Sequence, residues 1–186
     1  MLSDLQNRSE WKSNEAAMSE SHLAYLSLGS NIKPGSNLVE AIKLLGKSGD
    51  VPKVSSAWES KAVGLAGPNF LNACVSFVSP LLPVELKEQI IRPIEAQLGR
   101  KRGEDKFAPR TIDIDIVLFD GQPYNKEYWR FAFVIVPLAE IYPDYQNPLK
   151  QERITETAAR LRREVWIEAR PGVLGQFSGN RDRAQI

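Results

Sequence analysis

The chain has 186 residues, 42% of them hydrophobic, which suits one domain with a core of its own. Its 24 Lys and Arg stand against 23 Asp and Glu, so a net charge of +1 gives no global basis for binding nucleic acid or membrane. The one cysteine, Cys74, excludes an internal disulfide, and no apolar run reaches transmembrane length. With no signal peptide read at the start, a soluble cytoplasmic domain is the expectation.

Residues 1–21 are polar and read as a mobile leader. Leu23–Leu28 reads as a first strand closed by a Gly29-Ser30-Asn31 turn. Ser36 is placed to cap a helix through about Lys47, with Leu38, Ile42 and Leu45 at helical spacing. Lys53–Trp58 reads as a second strand, followed by a loop broken by Gly64, Gly67 and Pro68. Phe70–Val78 reads as a third strand, with Leu71, Ala73, Val75 and Phe77 on one face and Phe70, Asn72 and Cys74 on the other. Cys74 sits in "FLNACVSFV", a core setting with no neighbouring base to make it a nucleophile.

A second helix is expected from about Pro83, its stripe formed by Leu86, Ile90, Ile94 and Leu98, with Pro93 predicted to kink it. The basic loop "GRKRGEDKFAPR" leads into a fourth strand, "TIDIDIVLF". The apolar run Phe131–Val136 reads as a short strand, and Ile154–Leu161 as a last amphipathic helix. Residues 164–186 read as a C-terminal extension, leaving 22–163 as the folded domain. The order β-α-β-β-α-β points to a ferredoxin-like α+β sandwich, an antiparallel sheet with helices mainly on one face.

Side chains two apart on a strand point the same way, so Asp113 and Asp115 share one face and Ile112, Ile114 and Ile116 the other. Two adjacent carboxylates repel unless a cation offsets them. A hard divalent ion such as Mg²⁺ does so, taking one or two carboxylates together with substrate phosphates. Two solvated acids paired with Arg100 or Arg110 are the alternative. Arg100, Lys101, Arg102, Lys106 and Arg110 lie close before the pair, and arginine forks match phosphate oxygens. ATP–Mg²⁺ chemistry would use that combination; a solvated loop or an RNA contact are the other readings. Balanced charge and the lack of an exposed aromatic stacking pattern speak against RNA. No G-x-x-x-x-G-K-[ST] is present, so a P-loop is excluded.

These residues, in this order, resemble the 6-hydroxymethyl-7,8-dihydropterin pyrophosphokinases of folate biosynthesis. The resemblance runs through "YLSLGSN", "VSSAWES", "GPNFLNACV", "IEAQLGRKR", "APRTIDIDIVLF" and "VPLAEIYPDY", about two thirds of the chain. It implies a ferredoxin-like fold and pyrophosphate transfer from ATP to the pterin hydroxymethyl group, giving AMP. Asp113 and Asp115 would then hold two Mg²⁺ ions, with Arg100 and Arg110 on the phosphates. Nucleotide contacts are expected at Arg100, Arg102, Phe107, Arg110, Ile116 and Arg130. Pterin contacts are expected at Ser60, Val63, Phe70, Asn72 and Phe133, the two phenylalanines sandwiching the ring, while Glu95 braces the site from the second helix. A flat heteroaromatic ring suits two aromatic faces and one amide.

The chain departs from the family pattern at three places. Phe107-Ala108 stands where the family has Trp-Gly. The segment "DGQPYNKEYWR" is shorter than usual and lacks the family's histidine; the lone histidine, His22, lies elsewhere and is read as a bystander. Phe131 occupies the place of an arginine two residues before the stacking aromatic, with Arg130 one residue early. An active pyrophosphokinase with a trimmed ATP-binding segment is the first reading. A non-catalytic or repurposed pterin-binding paralogue is the second, and an RNA-binding module the third. No nucleic-acid or membrane partner is expected, and the protein is expected to be a monomer or a dimer.

Overall fold

A computed structural model of the chain describes residues 21–62, 67–101, 109–148 and 151–177. Its strands are β1 (His22–Ser30), β2 (Ala57–Ser60), β3 (Phe70–Ser79), β4 (Asp113–Phe119), β5 (Gln122–Pro123) and β6 (Ile167–Arg170). They form one sheet in the order β5-β4-β1-β3-β2-β6, every pairing antiparallel. The inner β4-β1-β3-β2 is the expected ferredoxin-like arrangement, and the two short strands widen it at its edges.

The sheet separates two apolar layers. On one face, Leu26, Leu28, Ala73, Val75, Phe77, Ile114 and Ile116 pack against α1 (Pro34–Ser48) and α2, which runs from Pro83 to Gln97. On the other, Tyr25, Trp58, Cys74 and Val117 pack beneath α3 (Ala132–Ile141) and α4 (Ile154–Glu164). Burial of Cys74 pushes its thiol far up, in keeping with a packing role.

α1 begins two residues before Ser36. Pro34 occupies its first turn, where a missing N–H costs nothing and a fixed φ is already helical. Regular pairing of β2 starts only at Ala57, although Val54 bridges Val75.

α2 consists of an α-turn Pro83–Leu86, a π-turn Lys87–Ile91 and an α-segment Arg92–Gln97. Pro93 therefore produces not a simple kink but a widened turn ahead of it. Arg92 N–H bonds back five residues to the Lys87 carbonyl, which relieves the clash a proline ring makes with the carbonyl of the preceding turn.

The largest correction concerns Phe131–Val136, expected as a strand. Residues Ala132–Ile141 form a helix, preceded by a 3₁₀ turn over Lys126–Arg130. Ala132, Val134, Ile135, Val136, Pro137, Leu138 and Ile141 are all buried. A helix covered on nearly every side loses its 3.6-residue pattern, and its β-branched content then reads as strand. With α3 in place, the second face carries two helices and stays open at the end where β4 begins. Beyond residue 163, β6 pairs with β2 and Leu174 is buried in the core, so residues 167–174 contribute to sheet and core.

Candidate active site

Strand register sets four residues in a row across the second face. Asp113 pairs with Gly29, Gly29 with Asn72, and Asn72 with Trp58. Gly29 has no side chain, and a Cβ there would lie 3.2 Å from Asn72 Oδ1 and 3.9 Å from the Phe70 ring. A gap in the row therefore forms the floor of a cleft. Ser27, Gly29, Asn72, Asp113, Asp115, Tyr128, Phe131, Phe133 and Val134 line this cleft, whose volume is about 130 Å³.

The "GSN" turn holds the strand that carries the aspartates. Asn31 Oδ1 accepts the Arg110 N–H at 2.7 Å, and the Asn31 N–H donates to the Arg110 carbonyl at 3.0 Å. The Ser30 hydroxyl donates to the Thr111 carbonyl. From the other side, the buried Glu95 accepts the Ile114 N–H at 3.0 Å, the bracing role expected of it. Gly99 closes α2 at φ +80°, a backbone conformation open to glycine, and the chain turns so that Arg100 reaches back to β4.

Arg100 Nη2 lies 3.0 Å from Asp113 Oδ1, and Arg110 Nη1 pairs with Asp113 Oδ2. Asp113 is thus held between two guanidinium groups. Arg100 Nε is buried and has no hydrogen-bond partner among the described residues, so a donor remains for an oxygen supplied from outside. Asp115 is different. Burial pushes its carboxyl above the ordinary range, the charge of Asp113 adds to this, and the Tyr128 hydroxyl opposes it.

Asn72 donates through Nδ2 to the Trp58 carbonyl at 3.2 Å and to Ser60 Oγ at 3.0 Å. This fixes the amide and turns Oδ1 toward the Gly29 gap. Phe133 stacks on Phe131, ring centroids 5.0 Å apart, at the start of α3. The Trp58 indole donates to Glu140 of α3 at 3.0 Å, which ties that helix over the row.

Of the residues expected from sequence, Arg100, Arg110, Asp113, Asp115, Ser60, Phe70, Asn72 and Phe133 come together around this cleft. Val63, Arg102 and Phe107 lie outside the described residues. The Ile116 side chain is buried against α2; it lines a narrow second cleft with Lys87, Ile91, Ile114, Asp115, Tyr124 and Tyr128. Arg130 is not at the aspartates. It pairs with Glu127, lies over the Phe131 ring, and lines a separate groove with Lys126, Trp129 and Arg160. A strand would have sent residues 130 and 131 to opposite faces; a 3₁₀ turn leading into a helix places Phe131 in the cleft and Arg130 outside it.

Sequence reading missed Tyr128, Phe131 and Ser27. Gly29 carried a signal, because a glycine inside a strand marks close approach, but Tyr128 lies in a turn without one.

No group of three or more His, Cys, Asp or Glu is placed to hold a metal ion among the described residues. Two carboxylates plus ligand phosphates do match the preference of Mg²⁺ for oxygen donors, and an Arg100 Nε with no partner among the described residues suits a phosphate. No helix among the described residues is long and apolar enough to cross a membrane.

Residues 25–143 match the model of the family described as 7,8-dihydro-6-hydroxymethylpterin-pyrophosphokinase (HPPK). A 2-amino-4-hydroxy-6-hydroxymethyldihydropteridine pyrophosphokinase of Synechocystis is 35% identical over 178 residues, covering 89% of this chain and 88% of that protein. Its Bacillus subtilis namesake is 40% identical over 133 residues, covering 64% of this chain and 78% of the relative. A crystal structure of Plasmodium falciparum HPPK-DHPS superposes with a TM-score of 0.60 at 12% identity. It covers 78% of this chain and 46% of that one, so the present chain spans under half of that protein, and the likeness speaks for the fold. On these matches the chain belongs to the 7,8-dihydro-6-hydroxymethylpterin-pyrophosphokinase family.

Proposed function

We propose that this chain transfers pyrophosphate from ATP to 6-hydroxymethyl-7,8-dihydropterin in folate biosynthesis, with Mg²⁺ as the metal. The observation that supports it most is the meeting of the Asp113–Asp115 pair, Asn72 and Phe133 in one cleft, with two arginines on Asp113.

The pterin lies with its ring against Phe133 and Phe70, and Asn72 Oδ1 accepts from a ring N–H. That pose brings the hydroxymethyl group toward the aspartates. Two Mg²⁺ ions held by Asp113 and Asp115 would draw charge from the triphosphate. The hydroxyl oxygen bonds to the β-phosphorus, the bond from that phosphorus to the α,β-bridging oxygen breaks, the hydroxyl proton passes to solvent, and AMP leaves with the bridging oxygen. Arg100 and Arg110 would turn from Asp113 to the phosphates and meet the charge that develops on AMP. Orientation and charge supply the catalysis, so no covalent nucleophile is required. Arg102, Phe107 and the backbone at Ile116 complete the nucleotide side of this reading; Arg130 would have to leave Glu127 to join it.

All the residues invoked come from one chain, so a monomer suffices. A cytoplasmic location accords with the free, buried Cys74. The position of Arg130 favours one alternative, a pterin-binding paralogue without transfer. Purified protein with ATP, Mg²⁺ and the pterin separates the two. AMP release that needs the pterin and is lost in Asp115→Ala is the expected result. Pterin binding without AMP would overturn the transfer.

A further inference from the structure

We infer that Tyr128 is a positioning residue of this site, its hydroxyl steadied by Asn125 and holding the Asp115 carboxylate toward the cleft where cation and triphosphate bind. The inference rests on the diphosphokinase reading above.

The two clefts at the start of β4 share two lining residues, Asp115 and Tyr128. Together they form the wall between the space beside Asn72 and Phe133 and the space beside Lys87 and Ile116. Asp115 and Tyr128 lie side by side in both clefts, where the Tyr128 hydroxyl counters the effect of burial on the Asp115 carboxyl and the Asn125 side chain acts on the hydroxyl in turn. Asn125 is itself fixed, because its Oδ1 accepts the Glu127 N–H at 3.0 Å and starts the 3₁₀ turn that presents Tyr128. An ordered path therefore runs from the backbone of the turn through Asn125 and Tyr128 to Asp115.

The two aspartates are held by different chemistry. Arg100 and Arg110 both go to Asp113. Asp115 receives a neutral O–H instead. A phenol fixes the orientation of a carboxylate without cancelling its charge, so the full negative charge stays available to a cation. A third arginine here would compete with the ion. Tyr128 also comes from the short segment that lacks a histidine, so this turn supplies the cleft with a hydroxyl.

The test uses the full chain with Mn²⁺ as probe and an ATP analogue whose α- and β-phosphorus atoms are joined by a methylene. Electron paramagnetic resonance of free Mn²⁺ reports the affinity. Tyr128→Phe keeps the ring and removes the hydroxyl. It should weaken Mn²⁺ binding about tenfold, the usual effect of losing an outer-sphere partner, and lower kcat with pterin KM unchanged. Asn125→Ala should act in the same direction and less strongly. A Tyr128→Phe protein that binds Mn²⁺ as tightly as wild type overturns the inference, as does one whose loss falls on pterin affinity. Wild-type protein that binds pterin yet no Mn²⁺ with the analogue overturns the metal reading and this inference with it. In that case both proteins fail alike, whereas failure of the inference alone leaves both binding alike.

Discussion

Arg100 and Asp113 join the end of α2 to the start of β4 through a 3.0 Å ion pair, with the Arg100 side chain 13% exposed and that of Asp113 20%. On the proposed function the carboxylate occupies a guanidinium that would face phosphate, so ligand binding would exchange one anion for another. Arg100→Ala should lower kcat by about 10²–10³-fold, the range for removing a donor aimed at developing charge. Pterin affinity should stay near wild type. AMP release alongside pterin titration checks both; a loss confined to pterin binding would assign Arg100 elsewhere.

Asn72 spends both amide hydrogens on the protein and keeps its oxygen for the cleft. Asn72→Ala should therefore weaken pterin binding about tenfold, equivalent to roughly 1.4 kcal/mol for one hydrogen bond, and leave nucleotide binding as it was. Calorimetric titration of each ligand separately decides it.

Asp115 is costly to bury in its charged form. Its pKa is raised by burial and by Asp113, so between the unfolded and folded values the native chain binds more protons than the unfolded one. Stability of the metal-free protein from this group is then highest at acid pH and falls as pH rises through that window. Asp115→Asn should melt higher than wild type at neutral pH without metal, by on the order of a few degrees, and should lack activity. Scanning calorimetry at pH 7 with chelator is the check; an unchanged or lower melting point would show that Tyr128 and solvent already offset the burial.

Glu95 is 2% exposed and takes the Ile114 N–H from the strand that holds both aspartates. Glu95→Ala leaves that buried donor unpaired at a cost of about 1–3 kcal/mol. The melting temperature should fall by roughly 2–10 °C and activity with it, while Glu95→Gln, which keeps an acceptor, should recover most of the stability.

Much of this was legible in the chain because of side-chain alternation. Asp113 and Asp115 opposite Ile114 and Ile116, or Asn72 opposite Ala73, can be assigned to faces before any fold is known. The row Asp113–Gly29–Asn72–Trp58 was not legible, since it depends on pairing between strands far apart in sequence. α3 was misread because full burial removes the contrast that defines a helical face. β6 escaped notice as a four-residue edge strand with charges at Glu168 and Arg170, too short and too polar to stand out. Tyr128 could not be foreseen at all, because its direction is set by a 3₁₀ turn and an Asn125 cap.

The π-turn in α2 amounts to one residue more than a regular helix would need between Leu86 and Ile94. A surplus residue advances everything after it by about 100° around the axis. That offset lets Ile90, Ile91 and Ile94 stay on the core while the neighbouring Glu95 faces the edge of β4. The extra residue and Pro93 thus depend on each other. Without the insertion the proline ring meets a carbonyl in the preceding turn, and without the proline nothing keeps the wider turn from relaxing. Chain length at this one point of a helix fixes the angular phase at which the acid bracing β4 arrives.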